Sequence, residues 1–208
     1  MDGALKNGKV TILEILADRI VNFDPALISD HALHTVKAGI ADTIGVTLAG
    51  IFEDCSQIML NIPGVADAPG PCLVIGTNRW VSALDATLVN GIASHALDFD
   101  DFSDVLGGHQ SVPLVPVLIA LAQKYKLSGR DIINAYAVGF EVEHRFAMAV
   151  NPHHYDKGWH PTATLGIFGT VAAASHLLGL DQEKTTTALA IASSMAAGIK
   201  ANFGTMTK

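Results

Sequence analysis

Charge is sparse in this chain, and cysteine and aromatic side chains are sparser still. Of its 208 residues 16% are charged, 6% are aromatic and two are cysteine. The thirteen Lys and Arg are scattered and the formal net charge is -7, so the basic stripe of a nucleic-acid-binding protein is missing. Cys55 and Cys72 have no metal-ligand spacing and are too few for a disulfide framework. That suits a reducing cytoplasm, with a single bridge between them left open. The start, Met1-Asp2-Gly3-Ala4-Leu5-Lys6, does not run from a basic end into an apolar stretch and a small-residue cleavage site, so export is not expected.

What the chain has is apolar mass. Half of it is hydrophobic, enough for a sizeable core in one domain or two. The stretch Gly158 to Leu180 lacks Asp, Glu, Lys and Arg, but His160, Pro161, His176 and three threonines make it a mediocre lipid span. A helix buried inside protein is expected there, and no membrane partner.

Helical spacing dominates elsewhere. Ile12, Leu13, Leu16, Ile20 and Val21 predict a first helix, broken by Asp24-Pro25. Asp30 is the expected cap of a second, with Leu33, Val36, Ile40, Ile44 and Leu48 on one face until Gly50. Residues 61–80, rich in Pro and Gly, predict a loop and one short strand near 72–76. Ser82 with Asp85 caps a helix ending near His95, and Pro113 fits the first turn of a helix over Val112–Tyr125, with Pro116 oddly far inside. Ser128 with Asp131 starts a helix to about Ala149. Thr162 to Leu178 predicts one helix rich in small residues, and Asp181 caps another to near Gly198; these two are expected to pack most densely. The fold class is therefore all-α, a helical bundle with one short strand region.

The chemistry concentrates after His95. Asp98, Asp100, Asp101 and Asp104 place four acids in seven positions, and His109 follows. Clustered carboxylates raise some of each other's pKa values and imidazole titrates near neutrality, so proton transfer is the use they suggest. His160, between Trp159 and Pro161, stands at a predicted helix start, where the dipole favours a neutral ring and attracts anions. Lys208, with Thr205 and Thr207 beside Gly204, could bind a carboxylate. His153 and His154 suggest loop surface, and Arg145 with Glu141 and Glu143 an exposed or interface pair. A rival reading takes Asp100-Asp101-Phe102-Ser103-Asp104 as the Asp-Asp-x-x-Asp motif of isoprenoid synthases, but the second acidic motif and basic contacts those enzymes need are not visible.

Asn90-Gly91, then His95-Ala96-Leu97-Asp98-Phe99-Asp100-Asp101, Gly108-His109, Gly158-Trp159-His160-Pro161-Thr162 with Gly166, His176-Leu177-Leu178-Gly179-Leu180, and Gly204-Thr205-Met206-Thr207-Lys208 occur in this order. Together they resemble the MmgE/PrpD family, which includes 2-methylcitrate dehydratase, cis-aconitate decarboxylase and iminodisuccinate epimerase. The resemblance implies that residues 1–208 are the N-terminal part of a large helical domain whose α+β lid and returning helices are absent. It implies a homodimer, a small anionic carboxylic acid as substrate, and neither cofactor nor metal. Asp98, His109, His160 and Lys208 match the family's active-site aspartate, two histidines and first lysine. The family often has threonine where this chain has Phe102, and proline where it has Gln110.

The implied chemistry is a carbanion made or protonated beside a carboxylate. His109 and His160 would be the acid/base and carboxylate-contacting pair, Asp98 would orient one histidine, and Lys208 would bind a substrate carboxylate. Dehydration of a 2-methylcitrate-like acid is the first expectation, with cis-aconitate decarboxylation and iminodisuccinate epimerisation beside it. From another class, the chain could be a non-catalytic, dimer-forming helical module.

Overall fold

Side-chain caps decide where most helices begin. The computed structural model describes residues 10–206. Thr11 and Glu14 form a reciprocal capping box at the start of α1 (Ile12–Val21). For α2 (Asp30–Gly50) the cap is Ser29, whose hydroxyl accepts the Ala32 N–H. Asp30, expected as the cap, is instead the first helical residue, where a carboxylate still meets the positive dipole end. After α3 (Asp54–Asn61), Ser82 caps α4 (Ala83–His95), and a Ser128–Asp131 box starts α6 (Gly129–Val150). Asp181 caps α10 (Gln182–Met195), which stops short of Gly198.

Three boundaries depart from the sequence reading. The strand region is a pair: β1 (Pro69–Leu73) runs antiparallel to β2 (Trp80–Val81). Beyond Leu73 the expected strand is replaced by side-chain pairing, because buried Asn90 accepts the Ile75 N–H at 2.9 Å and donates to the Leu73 carbonyl at 3.0 Å. Helix α5 (Val115–Tyr125) begins later than Val112, which puts Pro116 in the first turn, where its missing N–H is harmless. The helix expected from Thr162 to Leu178 breaks at Leu165 into α8 (Pro161–Thr164) and α9 (Gly166–Leu177). A short α7 (His153–Asp156) sits in the preceding connection. None of the described helices is long and apolar enough by itself to cross a membrane.

The helices enclose a core in which α9 is central. Its closest neighbour is α6, not α10 as the small-residue pattern suggested. A Cβ on Gly139 of α6 would lie 2.8 Å from the Gly169 carbonyl, and one on Gly169 would lie 2.9 Å from the Gly139 carbonyl. Only glycine at both positions permits this approach. Val138, Val142, Phe168, Ala172 and Leu189 fill the space on one side, and Leu114, Leu118, Tyr136 and Ala173 on the other.

Candidate active site

The site is a loop, residues 96–114, laid between the end of α4 and the start of α8. Its anchors are polar. Asp101 accepts the Ser111 N–H at 3.1 Å and the Gln110 amide at 2.9 Å, and also takes the Ser111 hydroxyl, which contacts the buried Tyr136 hydroxyl. Asp42 of α2 receives the Asp101 N–H at 3.1 Å. Burial pushes the Asp101 carboxyl above its ordinary range; the Ser111 bonds oppose this, and the charges of Asp42 and Asp100 add to it. On the far side, the His109 N–H reaches Thr162 Oγ1 at 2.9 Å. A Cβ on Gly108 would lie 2.7 Å from that oxygen, so the glycine before His109 lets the loop rest on α8.

These anchors place Asp100 in the interior, where its side chain is fully covered. Its Oδ2 lies 2.9 Å from His95 Nδ1 and 2.8 Å from His109 Nδ1. Burial alone would raise the Asp100 pKa, but the hydrogen bonds and charges of His109 and His95 outweigh it and hold the group down to about 2. An ionised carboxylate can only accept, so the His95 Nδ1–H is directed at it, and the His109 Nδ1–H lies between that carboxylate and the Asp100 backbone carbonyl, 3.2 Å away, both of them acceptors. The other nitrogen of His109, Nε2, faces Asp98 Oδ1 at 3.3 Å. Asp98 is exposed and takes a left-handed backbone with φ +56°, a conformation aspartate tolerates better than most residues.

Asp100 therefore occupies the orienting position that the sequence reading gave to Asp98. Asp98 stands instead on the pocket side of His109. The alternative use of Asp100, Asp101 and Asp104 as a magnesium-holding motif has no shared face: the first two bond within the loop, and Asp104 is exposed.

His160 is buried and precedes α8, its N–H bonded to the Gly198 carbonyl at 3.1 Å. Its ring packs edge-on with Phe203 at 4.7 Å and lies near-parallel to His95 at 6.3 Å. Asp98, Phe102, His109, Tyr155, His160, Thr162 and Phe203 line a pocket of about 290 Å³. Three of the four residues singled out in the sequence meet there; Lys208 and Thr207 lie outside the described residues. The sequence reading assigned no role to His95, Thr162, Tyr155 or Phe203. Phe102, the departure from the family's threonine, packs edge-on against His109 at 5.5 Å.

His154 and Glu143 depart from expectation. His154 is half-buried and reaches Thr164 Oγ1 at 2.7 Å, so it is no surface residue. Arg145 pairs with exposed Glu141 at 2.6 Å, whereas Glu143 is wholly buried. Both cysteines are free thiols. His95, Asp98, Asp100 and His109 each offer a ligand atom within 4.8 Å of the others, a donor set that suits a first-row divalent ion. To bind there, an ion would have to displace the Nδ1–H bonds now made to Asp100.

The family model of the MmgE/PrpD N-terminal domain matches residues 14–208. Among curated proteins, cis-aconitate decarboxylase of Mus musculus is 41% identical over 204 residues, covering 95% of this chain and 42% of the relative. The Homo sapiens protein of that name is 33% identical over the same coverage, and that of Aspergillus terreus 30% over 188 residues, 87% of this chain and 38% of the relative. The chain thus spans about two fifths of the length of the curated relatives it matches. With Asp98, His109 and His160 gathered at one pocket and the family model covering nearly the whole sequence, the chain belongs to the MmgE/PrpD family.

Proposed function

We propose that this chain supplies the acid/base part of a lyase site for a small tricarboxylic acid, with decarboxylation of a cis-aconitate-like substrate as the reaction. The observation that carries the proposal is His109, fixed through Nδ1 by a buried carboxylate while Nε2 faces the pocket shared with His160. That is the arrangement of an oriented general acid/base. The names of the relatives support decarboxylation; dehydration of 2-methylcitrate rests on the family alone.

In the decarboxylation, the bond between a carbon and its carboxylate breaks and carbon dioxide leaves. The electron pair passes into the neighbouring unsaturated acid, and protonated His109 delivers a proton to carbon through Nε2, regaining it from water. Asp98, beside that nitrogen, favours the charged ring before transfer. His160 contacts a substrate carboxylate from the opposite wall, and Lys208 is proposed to hold another. A homodimer and a reducing cytoplasmic setting belong to the same proposal.

The test is proton NMR of the full-length protein in D2O with cis-aconitate, 2-methylcitrate, citrate and iminodisuccinate, chelator present. Turnover of cis-aconitate with deuterium placed on the product carbon is expected. Silence from a folded protein across the panel overturns the lyase reading, and turnover confined to 2-methylcitrate overturns the choice of reaction.

A further inference from the structure

We propose that His95, Asp98, Asp100 and His109 form a zinc site whose occupation switches the pocket off. The inhibitory half of this rests on the reading of His109 as the acid/base group; the site itself does not. One ligand atom from each of the four residues lies within 4.8 Å of the others. Bonds of about 2.0–2.1 Å in a tetrahedron put ligand atoms about 3.3 Å apart, so the longest edge has to contract by no more than about 1.5 Å around an ion. Imidazole nitrogen and carboxylate oxygen are both ordinary zinc ligands, and four such donors complete its preferred shell.

Three of the donors are held in place and one can move. His95 ends α4, whose backbone touches α2 where Gly50 meets Ala93. Asp100 is fully covered, and His109 is fixed by its N–H to Thr162 Oγ1. The Asp98 side chain is 58% exposed, so it can swing to close the shell with little loss of packing. Its Oδ1 already stands 3.3 Å from His109 Nε2, the edge length of a zinc tetrahedron.

The hydrogen bonds allow the exchange. His109 ligates through Nε2, and its Nδ1–H keeps an acceptor in the Asp100 backbone carbonyl at 3.2 Å when the carboxylate turns to the ion. Such an outer partner is what a ligating histidine ordinarily has. His95 ligates through Nδ1, giving up its bond to Asp100, and its proton passes to Nε2. That nitrogen is buried with no hydrogen-bond partner among the described residues, so the change forfeits no bond there. The two carboxylate charges balance those of the ion, the condition for holding charge in so covered a place. Zinc on Nε2 then occupies the lone pair through which His109 exchanges its proton, and draws Asp98 from the pocket wall into the same shell.

Cobalt(II), a spectroscopic stand-in for zinc, reads the site without substrate. Added to the folded, metal-free, full-length protein at neutral pH, one equivalent should give the intense visible bands of four-coordinate cobalt, and zinc should abolish them. Asp98→Gly removes a ligand at an exposed position whose φ of +56° glycine adopts freely, and His95→Phe removes one from the interior. Each should weaken binding by more than about 100-fold, beyond the cost of losing an outer partner. If His95→Phe does not fold, Asp98→Gly alone decides. His160→Asn, in the same pocket but outside the donor set, should bind as the wild type does. No binding, only the weak bands of six-coordinate cobalt, or affinity unchanged in Asp98→Gly overturns the site. Turnover is read at free zinc fixed by a metal buffer, because tricarboxylates chelate zinc themselves. It should stop as the site fills and return with chelator; undiminished turnover at full occupancy overturns the inhibitory role. A protein inactive on every acid would sink the lyase reading, while the cobalt spectra still decide the site.

Discussion

At the scale of single residues, Asp100 ties chemistry to stability. Its pKa falls from 3.8 to about 2 on folding, a change worth about 2–3 kcal/mol. A lowered pKa means the folded state binds fewer protons, so this stability is present above pH ~4 and is lost as pH falls through about 2. Urea unfolding between pH 5 and pH 2 should show the loss, and Asp100→Asn should flatten it. Glu143 works in the opposite sense. Complete burial, and then the charge of Asp101, raise its pKa well above the usual range, and neither oxygen has a hydrogen-bond partner among the described residues. The folded state therefore holds a proton that the unfolded chain releases, and stability falls as pH rises above ~4.5 towards the folded value. Glu143→Gln should remove that slope, so its stability relative to wild type should rise from pH 5 to pH 8; a parallel pair of curves would refute this. Phe102→Thr addresses specificity. It replaces an aromatic wall beside His109 with a hydroxyl, and should change the ratio of kcat/KM for cis-aconitate against 2-methylcitrate by about tenfold or more. An unaltered ratio would mean that Phe102 does not touch substrate.

Among elements, the contact between α6 and α9 is the most sensitive to volume. A methyl group on Gly139 would meet the Gly169 carbonyl at 2.8 Å, and Ala173 Cβ and Leu114 Cδ2 at 2.9 Å each. Gly139→Ala should therefore cost about 1–3 kcal/mol, because backbone on one side cannot give way. Gly45 of α2 is its control, with nothing within 4 Å of the added carbon. Gly45→Ala should stabilise by up to about 1 kcal/mol through helix propensity alone. Thermal melts of the two variants should move in opposite directions. The caps at Ser82, Ser128 and Asp181 could be read from sequence because each depends on residues three apart. The break at Leu165 could not, since it depends on α9 meeting Pro113, where a Cβ on Gly166 would lie 2.7 Å from the proline ring.

At the scale of the whole molecule, the described surface keeps large apolar side chains in water. Leu84 is 84% exposed, Phe99 81% and Phe52 73%. Apolar surface of this kind is a place of contact with other protein. Expressed alone, the 208-residue chain should self-associate. Light scattering should give an apparent mass well above the 21.8 kDa of one chain, and a clean monomer would contradict this.

What the sequence determined by itself was everything carried by local spacing. The helices follow from apolar periodicity and short-range caps, and the loop bearing Asp98 and His109 is marked by acids that an apolar chain has no cheap way to bury. The same spacing could not tell Asp98 from Asp100. Two residues apart in one loop, they are chemically identical on paper. Only the tertiary structure decided that Asp100 turns inward between His95 and His109 while Asp98 stays at the surface, because burial there depends on Asp42 of α2 and on Tyr136 of α6, which reaches the loop through its Ser111. Glu143 is the same lesson on a helix. Beside Glu141 it looks like half of a surface pair, and it is the packing of α9, through Gly166 and Gly169, onto α6 that takes it out of water.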